Sequence, residues 1–122
     1  MATTAADNIP RQEWQGFFDD FSRDHMGWTV SLEVFGEEIG AQVEGDNLPL
    51  TGITVSNPGA DHESISVMLG DETGRHVTHS IQSPTRVYVD RNGSSIGVAE
   101  TVEIESADGS KVLLRFQKSV LP

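Results

Sequence analysis

Two histidines three positions apart, His76 and His79, have a type and spacing that could do chemistry. On a helix this spacing would place both imidazoles on one side, where a histidine pair can hold a divalent metal. The surrounding segment alternates apolar and polar residues, which is typical of a β-strand, so the two side chains are expected on opposite faces. We therefore interpret His79 as a core residue beside Val77 and Ile81, and His76 as a residue of the polar face.

A sharper hypothesis is a divalent-metal site with mixed nitrogen and oxygen ligands. In such a site His76 or His79 would be joined from neighbouring strand ends by His62, Asp61 or Asp71. The sequence contains no cysteine, which excludes disulfides, thiolate catalysis and cysteine-based zinc or iron–sulfur sites. Because the strand geometry argues against a histidine pair, we assign no metal ligand and expect no cofactor.

Four further residues are candidates for contact with a ligand or a protein partner. Trp14 and Trp28 belong to an aromatic set that would form the seam between a helix and a sheet, or would stay exposed as an anchor for a partner. Arg86 and Tyr88 would line, together with His79, a small-ligand site between helix and sheet.

Paired carboxylates do not form a recognisable catalytic site. General acid–base catalysis by two carboxyl groups needs one of them in an apolar pocket, but most pairs here fall in predicted turns or on polar strand faces. No serine lies in a Gly-x-Ser-x-Gly elbow, and no glycine-rich loop could cradle a phosphate. We therefore assign no catalytic residue and favour a non-enzymatic protein. The pairs are Asp19 with Asp20, Glu37 with Glu38, Asp61 with Glu63, Asp71 with Glu72, and Glu103 with Glu105.

Composition narrows the classes of partner. The chain has 122 residues, 36% of them hydrophobic, and a formal net charge of -11, which describes one small domain with a single core. A negative field repels nucleic-acid phosphates and anionic lipid, so neither nucleic acid nor a membrane is an expected partner. No apolar run reaches the roughly 18 residues of a membrane span and no signal peptide is recognised, so a cytoplasmic location is expected.

The basic residues are mostly arginine, since only Lys111 and Lys118 are lysines. Many acidic residues with few lysines suit a high-salt cytosol, where mutual repulsion between carboxylates is screened. The simpler interpretation is a GC-rich genome that favours arginine codons. Adaptation to salt is therefore a hypothesis.

The elements that must position these residues begin with a helix. Aromatic residues recur with helical period from Trp14 to Phe21, which predicts an amphipathic helix over about 10–25. Pro10 suits its first position and Gly27 its end. Because the apolar stripe is aromatic and wide, we expect the helix to cover a sheet.

After the helix the hydrophobic period changes from 3.6 to 2, and turn signals separate the alternating segments. This pattern predicts an α+β fold, in which one N-terminal amphipathic helix packs on a curved antiparallel sheet or partly open barrel of six to eight strands. Residues 9–118 would form the single globular domain, with a disordered tail at 1–8 and another tail at 119–122. The predicted strands lie near 28–34, 39–43, 53–55, 65–69, 77–81, 87–89, 102–104 and 112–116.

Several short segments of the chain form a recognisable set: 9–14 (IPRQEW), 27–34 (GWTVSLEV), 48–53 (LPLTGI), 103–109 (EIESADG) and 113–116 (LLRF). Together they resemble a family of small bacterial proteins, the domain-of-unknown-function family 5335 (DUF5335). The likeness extends from Ile9 to about Phe116. It implies a single-domain protein and no assigned activity, so no catalytic or binding residue follows from it.

Two hypotheses of function remain. The first is a non-enzymatic protein-binding or self-associating module, for which unpaired strand edges would offer a route through sheet extension. The alternative is a protein that binds a small ligand or a divalent metal between helix and sheet. The candidate ligand or interaction residues are Trp14, Trp28, His76, His79, Arg86 and Tyr88.

Overall fold

The computed structural model describes residues 7–36, 40–57, 62–71, 73–91 and 100–118, except for the side chains of 44–46. A 3₁₀ turn, Arg11–Glu13, runs into the helix α1, Trp14–Asp24. The strands are β1 (Asp7–Asn8), β2 (Thr29–Gly36), β3 (Gly40–Ser56), β4 (Ser64–Gly70), β5 (His76–Gln82), β6 (Pro84–Asp90), β7 (Glu100–Ser106) and β8 (Lys111–Gln117).

The predicted N-terminal helix is confirmed. Its aromatic face is buried, with Trp14, Phe18 and Phe21 each at most 3% exposed. The helix ends at Asp24, and the N–H of the next residue, His25, caps it by donating to the carbonyl of Phe21 at 3.0 Å. Gly27 follows with φ of 83°, a left-handed conformation that glycine adopts without steric cost. None of the helices in the described ranges is long and apolar enough to cross a membrane.

The strands form an antiparallel sheet in the order β1-β6-β7-β8-β2-β3-β4-β5. The predicted class, one helix packed on an antiparallel sheet, is thereby confirmed. Among the described residues β1 and β5 form the two edges and do not pair with each other, so the sheet is open. The predicted number of strands, six to eight, is wrong. β1 was not predicted, and β3 runs through two predicted strands without a break, so counting its halves separately gives about nine.

β3 is long because it serves two different neighbours. Its first half pairs with β2, as far as Pro49 opposite Thr29. Its second half pairs with β4, starting at Leu50 opposite Leu69. Asn47, with φ of 55°, lies just before the change of neighbour; asparagine tolerates this left-handed conformation better than most residues. β3 therefore carries the chain from one part of the curved sheet to the other.

The free side of the second half of β3 is covered by α1. The N–H of Ile53 donates to Ser22 Oγ at 2.9 Å, and the Ser22 hydroxyl lies 3.2 Å from the carbonyl of Ile53, to which it donates. At the same side the N–H of Leu50 donates to the carbonyl of Trp28 at 2.8 Å. Ser22 thus satisfies backbone groups that a neighbouring strand would otherwise satisfy.

The N-terminal segment is tied to the other edge of the sheet. Asp7 lies opposite Val89 in β6, and the N–H of Ile9 donates to the carbonyl of Val87 at 2.9 Å. The indole N–H of Trp14 donates to the carbonyl of Ile9 at 2.9 Å. Described structure therefore begins inside the segment assigned to the N-terminal tail. The rest of that segment, 1–6, and the predicted tail at 119–122 lie outside the described residues.

The core fills the space between α1 and the concave face of the sheet. Along β2, β4 and β8, buried residues alternate with partly exposed ones, as period 2 predicts. The largest fully buried side chains are Trp14, Phe18, Phe116, Leu32, Leu50, Ile53, Ile65, Leu69, Ile104, Leu114, Glu63 and Val30.

Candidate functional site

Strand β5 carries both candidate histidines and is an edge strand within the described structure. His79 lies on the same face as Val77 and Ile81, and His76 lies exposed on the opposite face, as predicted. His79 is only half-buried, however, and is not part of the buried core as expected. The ring of His76 covers Gly70 in β4, where a side chain on residue 70 would collide with it. The histidines therefore cannot act as a pair, because the strand separates them.

Backbone pairing at the two ends of β5 shows which groups face β4. The N–H of Asp71 donates to the carbonyl of Arg75 at 3.0 Å, and the N–H of Ser83 donates to the carbonyl of Glu63 at 3.1 Å. The register between these bonds is regular, and hydrogen-bonded pairs alternate with non-bonded pairs along an antiparallel ladder. Every second residue therefore directs its backbone N–H and C=O away from β4, toward the open edge: His76, Thr78, Ser80 and Gln82.

The chemical character of this edge is unusual for the chain. The segment from Thr73 to Val89 contains no aspartate or glutamate, although the whole chain has a net charge of -11. Natural proteins protect sheet edges with lysine, proline or a β-bulge. β5 contains neither lysine nor proline, and its register with β4 has no shift. Among the described residues, no strand pairs with this side of β5.

Arg86 and Tyr88 lie together on the outer face of β6. Nη1 of Arg86 donates to the hydroxyl of Tyr88 at 3.2 Å, and Arg86 faces Glu105 across the strand pair. The hydrogen bond to Tyr88 raises the pKa of the Arg86 guanidinium, and the charge of Glu105 adds to this effect. The core side of β6 carries Val87 instead. The structure therefore does not bring Arg86 and Tyr88 together with His79 between helix and sheet.

The two tryptophans have different surroundings. Trp14 is 1% exposed within the core, and the Arg11 guanidinium lies 5.3 Å from the centre of its ring. Trp28 is only partly buried, and its ring meets that of His25 edge-on with centres 4.4 Å apart. Trp14 thus belongs to the seam between helix and sheet, while Trp28 lies at the margin of the core.

The residues considered for a metal site are not gathered. In the described ranges, no group of three or more histidine, aspartate and glutamate side chains could hold a metal ion. His62 is exposed, and Oδ1 of Asp71 accepts hydrogen bonds from Thr73 and from the N–H of Arg75. Asp61 lies outside the described residues.

A buried polar pair that the sequence analysis missed joins His25 to Glu100. His25 is 7% exposed, and its Nδ1 lies 2.8 Å from the carbonyl of Phe21. Since a carbonyl can only accept, Nδ1 carries a proton. Nε2 lies 2.9 Å from Oε2 of Glu100. A second proton must therefore lie between Nε2 and Oε2, bound either to the imidazole or to the carboxyl group.

The two side chains are only 9% and 17% exposed. The pair attaches the end of α1 to the start of β7. His25 follows Phe21 by four positions and so continues the aromatic stripe of the helix, a signal that could have marked it as buried. No signal in the sequence marks Glu100, because it is 75 positions away.

A second missed pair joins Arg11 to Glu63, next to the corner between β5 and β6. The Glu63 carboxylate is 2% exposed, and its Oε1 lies 2.5 Å from Nη2 of Arg11. Its backbone carbonyl accepts the N–H of Ser83, the residue between the two strands. Ser83 has φ of 53°, and the N–H of Ala107 donates to its carbonyl at 3.0 Å. The corner is thus held from both sides, which fixes the direction of β5.

The outer face also has a shallow depression, lined by Phe35, Glu103, Lys111 and Leu113. Burial raises the pKa of Glu103, and the neighbouring carboxyl group of Glu105 raises it further. Lys111 opposes this rise from 3.9 Å away. The depression holds no cluster of reactive groups among these lining residues, so its chemistry is that of a surface charge network.

Comparison with known proteins agrees with the resemblance in the sequence. A family model described as a family of unknown function (DUF5335) matches residues 5–121. An uncharacterized protein of Aquifex aeolicus (strain VF5) is 32% identical over 120 residues, which are 98% of this chain and 96% of that protein. No solved structure matches the chain significantly. The chain therefore belongs to the DUF5335 family, a family of unknown function.

Proposed function

We propose that this protein is a non-enzymatic, cytoplasmic binding module that accepts a β-strand of another polypeptide at the open edge of β5. The observation that carries the proposal is the orientation of the backbone along β5. The N–H and C=O groups of alternate residues from His76 to Gln82 point away from β4, toward an edge that no described strand occupies. An added strand would satisfy all of them.

Strand addition uses two kinds of contact. Main-chain hydrogen bonds supply affinity, and pockets or facing side chains at alternate positions supply specificity. On β5 the exposed side chains are His76, Thr78, Ser80 and Gln82, which are polar and carry no acidic group. The incoming strand would therefore meet hydroxyl, amide and imidazole groups rather than carboxylates.

The absence of acidic residues supports this edge over the rest of the surface. A chain with net charge -11 repels other acidic proteins over much of its surface. The run from Thr73 to Val89 contains no carboxylate, and its two arginines lie against acidic neighbours: Arg75 is 3.9 Å from Asp71, and Arg86 faces Glu105. The edge thus combines open backbone groups with side chains that carry no negative charge.

The alternative function, a small-ligand or metal site between helix and sheet, is less well supported. Trp14 and Phe18 occupy that space, at 1% and 0% exposure. A ligand would have to displace core side chains, and such rearrangements of a packed core carry a large free-energy cost. We therefore place the binding site at the edge of the sheet.

The experiment compares Ser80→Pro with Ser80→Ala. Both variants lose the hydroxyl contact between Ser80 and Ser66, whose oxygens are 3.1 Å apart. Only proline removes the backbone N–H that faces the open edge, and proline is tolerated on edge strands. Affinity purification with each tagged protein, followed by mass spectrometry, should recover a bound protein with the wild type, somewhat less of it with Ser80→Ala, and none with Ser80→Pro.

Thermal unfolding of Ser80→Pro checks that the variant is folded. If Ser80→Pro does not fold, Thr78→Lys is used instead. A charge on the edge blocks strand addition without changing the backbone. Thr78→Gln is the matched control for Thr78→Lys. Equal recovery of the same bound proteins by the blocked variant and its control would contradict the proposal.

A further inference from the structure

We infer that the strand accepted by β5 is β5 of a second copy of this chain, paired antiparallel across a two-fold axis that passes beside His79. This inference rests on the proposed function, because it names the occupant of the same edge. The observation behind it is a symmetry in the chemistry of the strand.

The sequence of β5, HVTHSIQ, has matching side-chain types when read from either end. Polar residues able to donate and accept hydrogen bonds stand at both ends, followed inward by β-branched aliphatic residues, then by hydroxyl residues, with His79 in the centre. In a two-fold interface, when a residue i of one copy contacts residue j of the other, residue j of the first copy also contacts residue i of the second. β5 meets this requirement because residues at equal distances from His79 have side chains of the same type. The matching pairs are His76 with Gln82, Val77 with Ile81, and Thr78 with Ser80.

The backbone selects the same register. The residues whose N–H and C=O face the open edge must form the hydrogen-bonded pairs of any new ladder. With Thr78 opposite Ser80 of the second copy, and His76 opposite its Gln82, every edge-facing group of both strands is paired. A shift of two residues either way leaves an end of each strand unpaired and sets His79 against an aliphatic residue.

Side chains on the two faces of the joined strands would also match. On the inner face, Val77 would pack against Ile81 of the second copy, whose side chain is already buried in the core of that copy. On the outer face, Thr78 and Ser80 would form a cross-strand hydroxyl pair, a favourable combination in antiparallel sheets. The existing contact between Ser66 and Ser80 continues this row across β4.

Charge favours a second copy at this place. Two chains of net charge -11 repel each other at long range, and this repulsion is lowest where neither surface carries carboxylates. Antiparallel pairing through β5 brings together two strands without acidic residues, and the one described carboxylate at the end of each, that of Asp71, lies 3.9 Å from Arg75. The two open sheets would then form one continuous sheet through the dimer.

Sedimentation equilibrium tests the assembly. With rising protein concentration the wild type should approach twice the chain mass of 13.2 kDa, and Ser80→Ala, which loses only the cross-strand hydroxyl contact, should do so at a somewhat higher concentration. Ser80→Pro should remain monomeric, with a dissociation constant raised at least about tenfold. A wild type that stays monomeric at every concentration would overturn the inference.

A disulfide trap tests the register. The chain has no cysteine, so a single introduced cysteine can cross-link only to its counterpart in another copy. His79→Cys places the two thiols opposite each other in a non-hydrogen-bonded pair, where Cα atoms lie about 4.5 Å apart and a disulfide fits. Thr78→Cys, whose counterpart is displaced along the strand, is the matched control. Faster cross-linking of Thr78→Cys than of His79→Cys would overturn the register.

The two proposals fail in different ways. If the wild type is monomeric but a different protein is recovered with it and lost with Ser80→Pro, the second copy is wrong and strand addition at β5 stands. If Ser80→Pro changes neither the mass nor the recovered proteins, both proposals are wrong.

Discussion

His25 Nε2 lies 2.9 Å from Glu100 Oε2, so a hydrogen bond joins the end of α1 to the start of β7 across 75 positions of sequence. The imidazole is also stacked on the ring of Phe21, with centres 3.9 Å apart. Among the described residues, no group hydrogen-bonds to the buried Oε1 of Glu100. Within the described structure, the hydrogen bond to His25 is therefore the only one that the Glu100 carboxyl group makes.

Replacing His25 by phenylalanine should destabilise the protein by about 2–4 kcal/mol, because the ring is kept while a largely buried carboxylate loses its partner. In a Glu100→Met background the same replacement should cost much less. Urea unfolding followed by tryptophan fluorescence, arranged as a double-mutant cycle, measures both effects. An equal cost in the two backgrounds would show that the pair carries no coupling.

Ser22→Ala should lower the free energy of unfolding by about 1–3 kcal/mol, because the N–H and C=O of Ile53 both lose their hydrogen-bond partner in a part-buried place. Ser31→Ala is the matched control, since its hydroxyl forms only an exposed 3.4 Å contact with Asn47. The control should change stability by less than about 0.5 kcal/mol. Urea denaturation of the two variants makes the comparison, and similar values for both would contradict the role of Ser22.

Asp108 should make the turn between β7 and β8 sensitive to acid. The Ser110 hydroxyl, 2.6 Å from Oδ1, and the Ser110 N–H lower the pKa of Asp108 below its ordinary value of 3.8. A lowered pKa in the folded state contributes stability above 3.8, and this contribution is lost as pH falls through the lower folded value.

The test is Asp108→Asn, which keeps an oxygen acceptor but does not titrate. Unfolding midpoints in urea at pH 7 and near pH 3 should fall less on acidification for this variant than for the wild type. Asp19→Asn, on the exposed face of α1, is the control and should follow the wild type. If Asp108→Asn loses as much stability as the wild type, the hydrogen bonds to the carboxylate are not responsible.

Glu103→Gln should stabilise the protein at neutral pH by less than about 1 kcal/mol, given the partial exposure of the site. Burial and the neighbouring Glu105 raise the pKa of Glu103 above its ordinary value of 4.5. For an acid with a raised pKa, the folded state is penalised once pH exceeds the folded value, and no penalty exists below the unfolded value. The gain should therefore be present at pH 7 and absent near pH 4. Glu13→Gln, on an exposed residue, provides the control.

Adaptation to salt stays a prediction. If the net charge of -11 reflects a high-salt cytosol, the unfolding midpoint should rise between low and molar KCl, because salt screens repulsion among carboxylates. Sodium chloride at equal ionic strength tests whether screening alone is responsible. No gain in stability with KCl would reject the hypothesis.

Hydrophobic period was sufficient to predict α1 and the positions of most strands, because each of them buries one continuous face. It failed for β1, since Asp7 and Asn8 are polar and their pairing is made by backbone groups. It also failed at Pro49, which lies between the predicted strands 39–43 and 53–55 but belongs to β3. Pro49 lies where β3 leaves β2, a place where a strand tolerates proline.

The candidate site could be predicted only in part. Alternation correctly placed His76 and His79 on opposite faces of β5. The position of β5 at the edge depends on strand order, which local sequence does not encode. The partners of buried polar groups are also far away in the sequence, since 75 positions separate His25 from Glu100. Long-range pairing therefore accounts for most of what the sequence analysis missed.

The continuity of β3 also bears on how the protein comes apart. This strand of 17 residues sets the register of β2 through its first half and the register of β4 through its second half. A slip of one residue would turn the inner side chains outward in both halves at once. The two parts of the sheet therefore share one cooperative unit, and the slowest-exchanging amides of β4 and β8 are expected to open in the same global event.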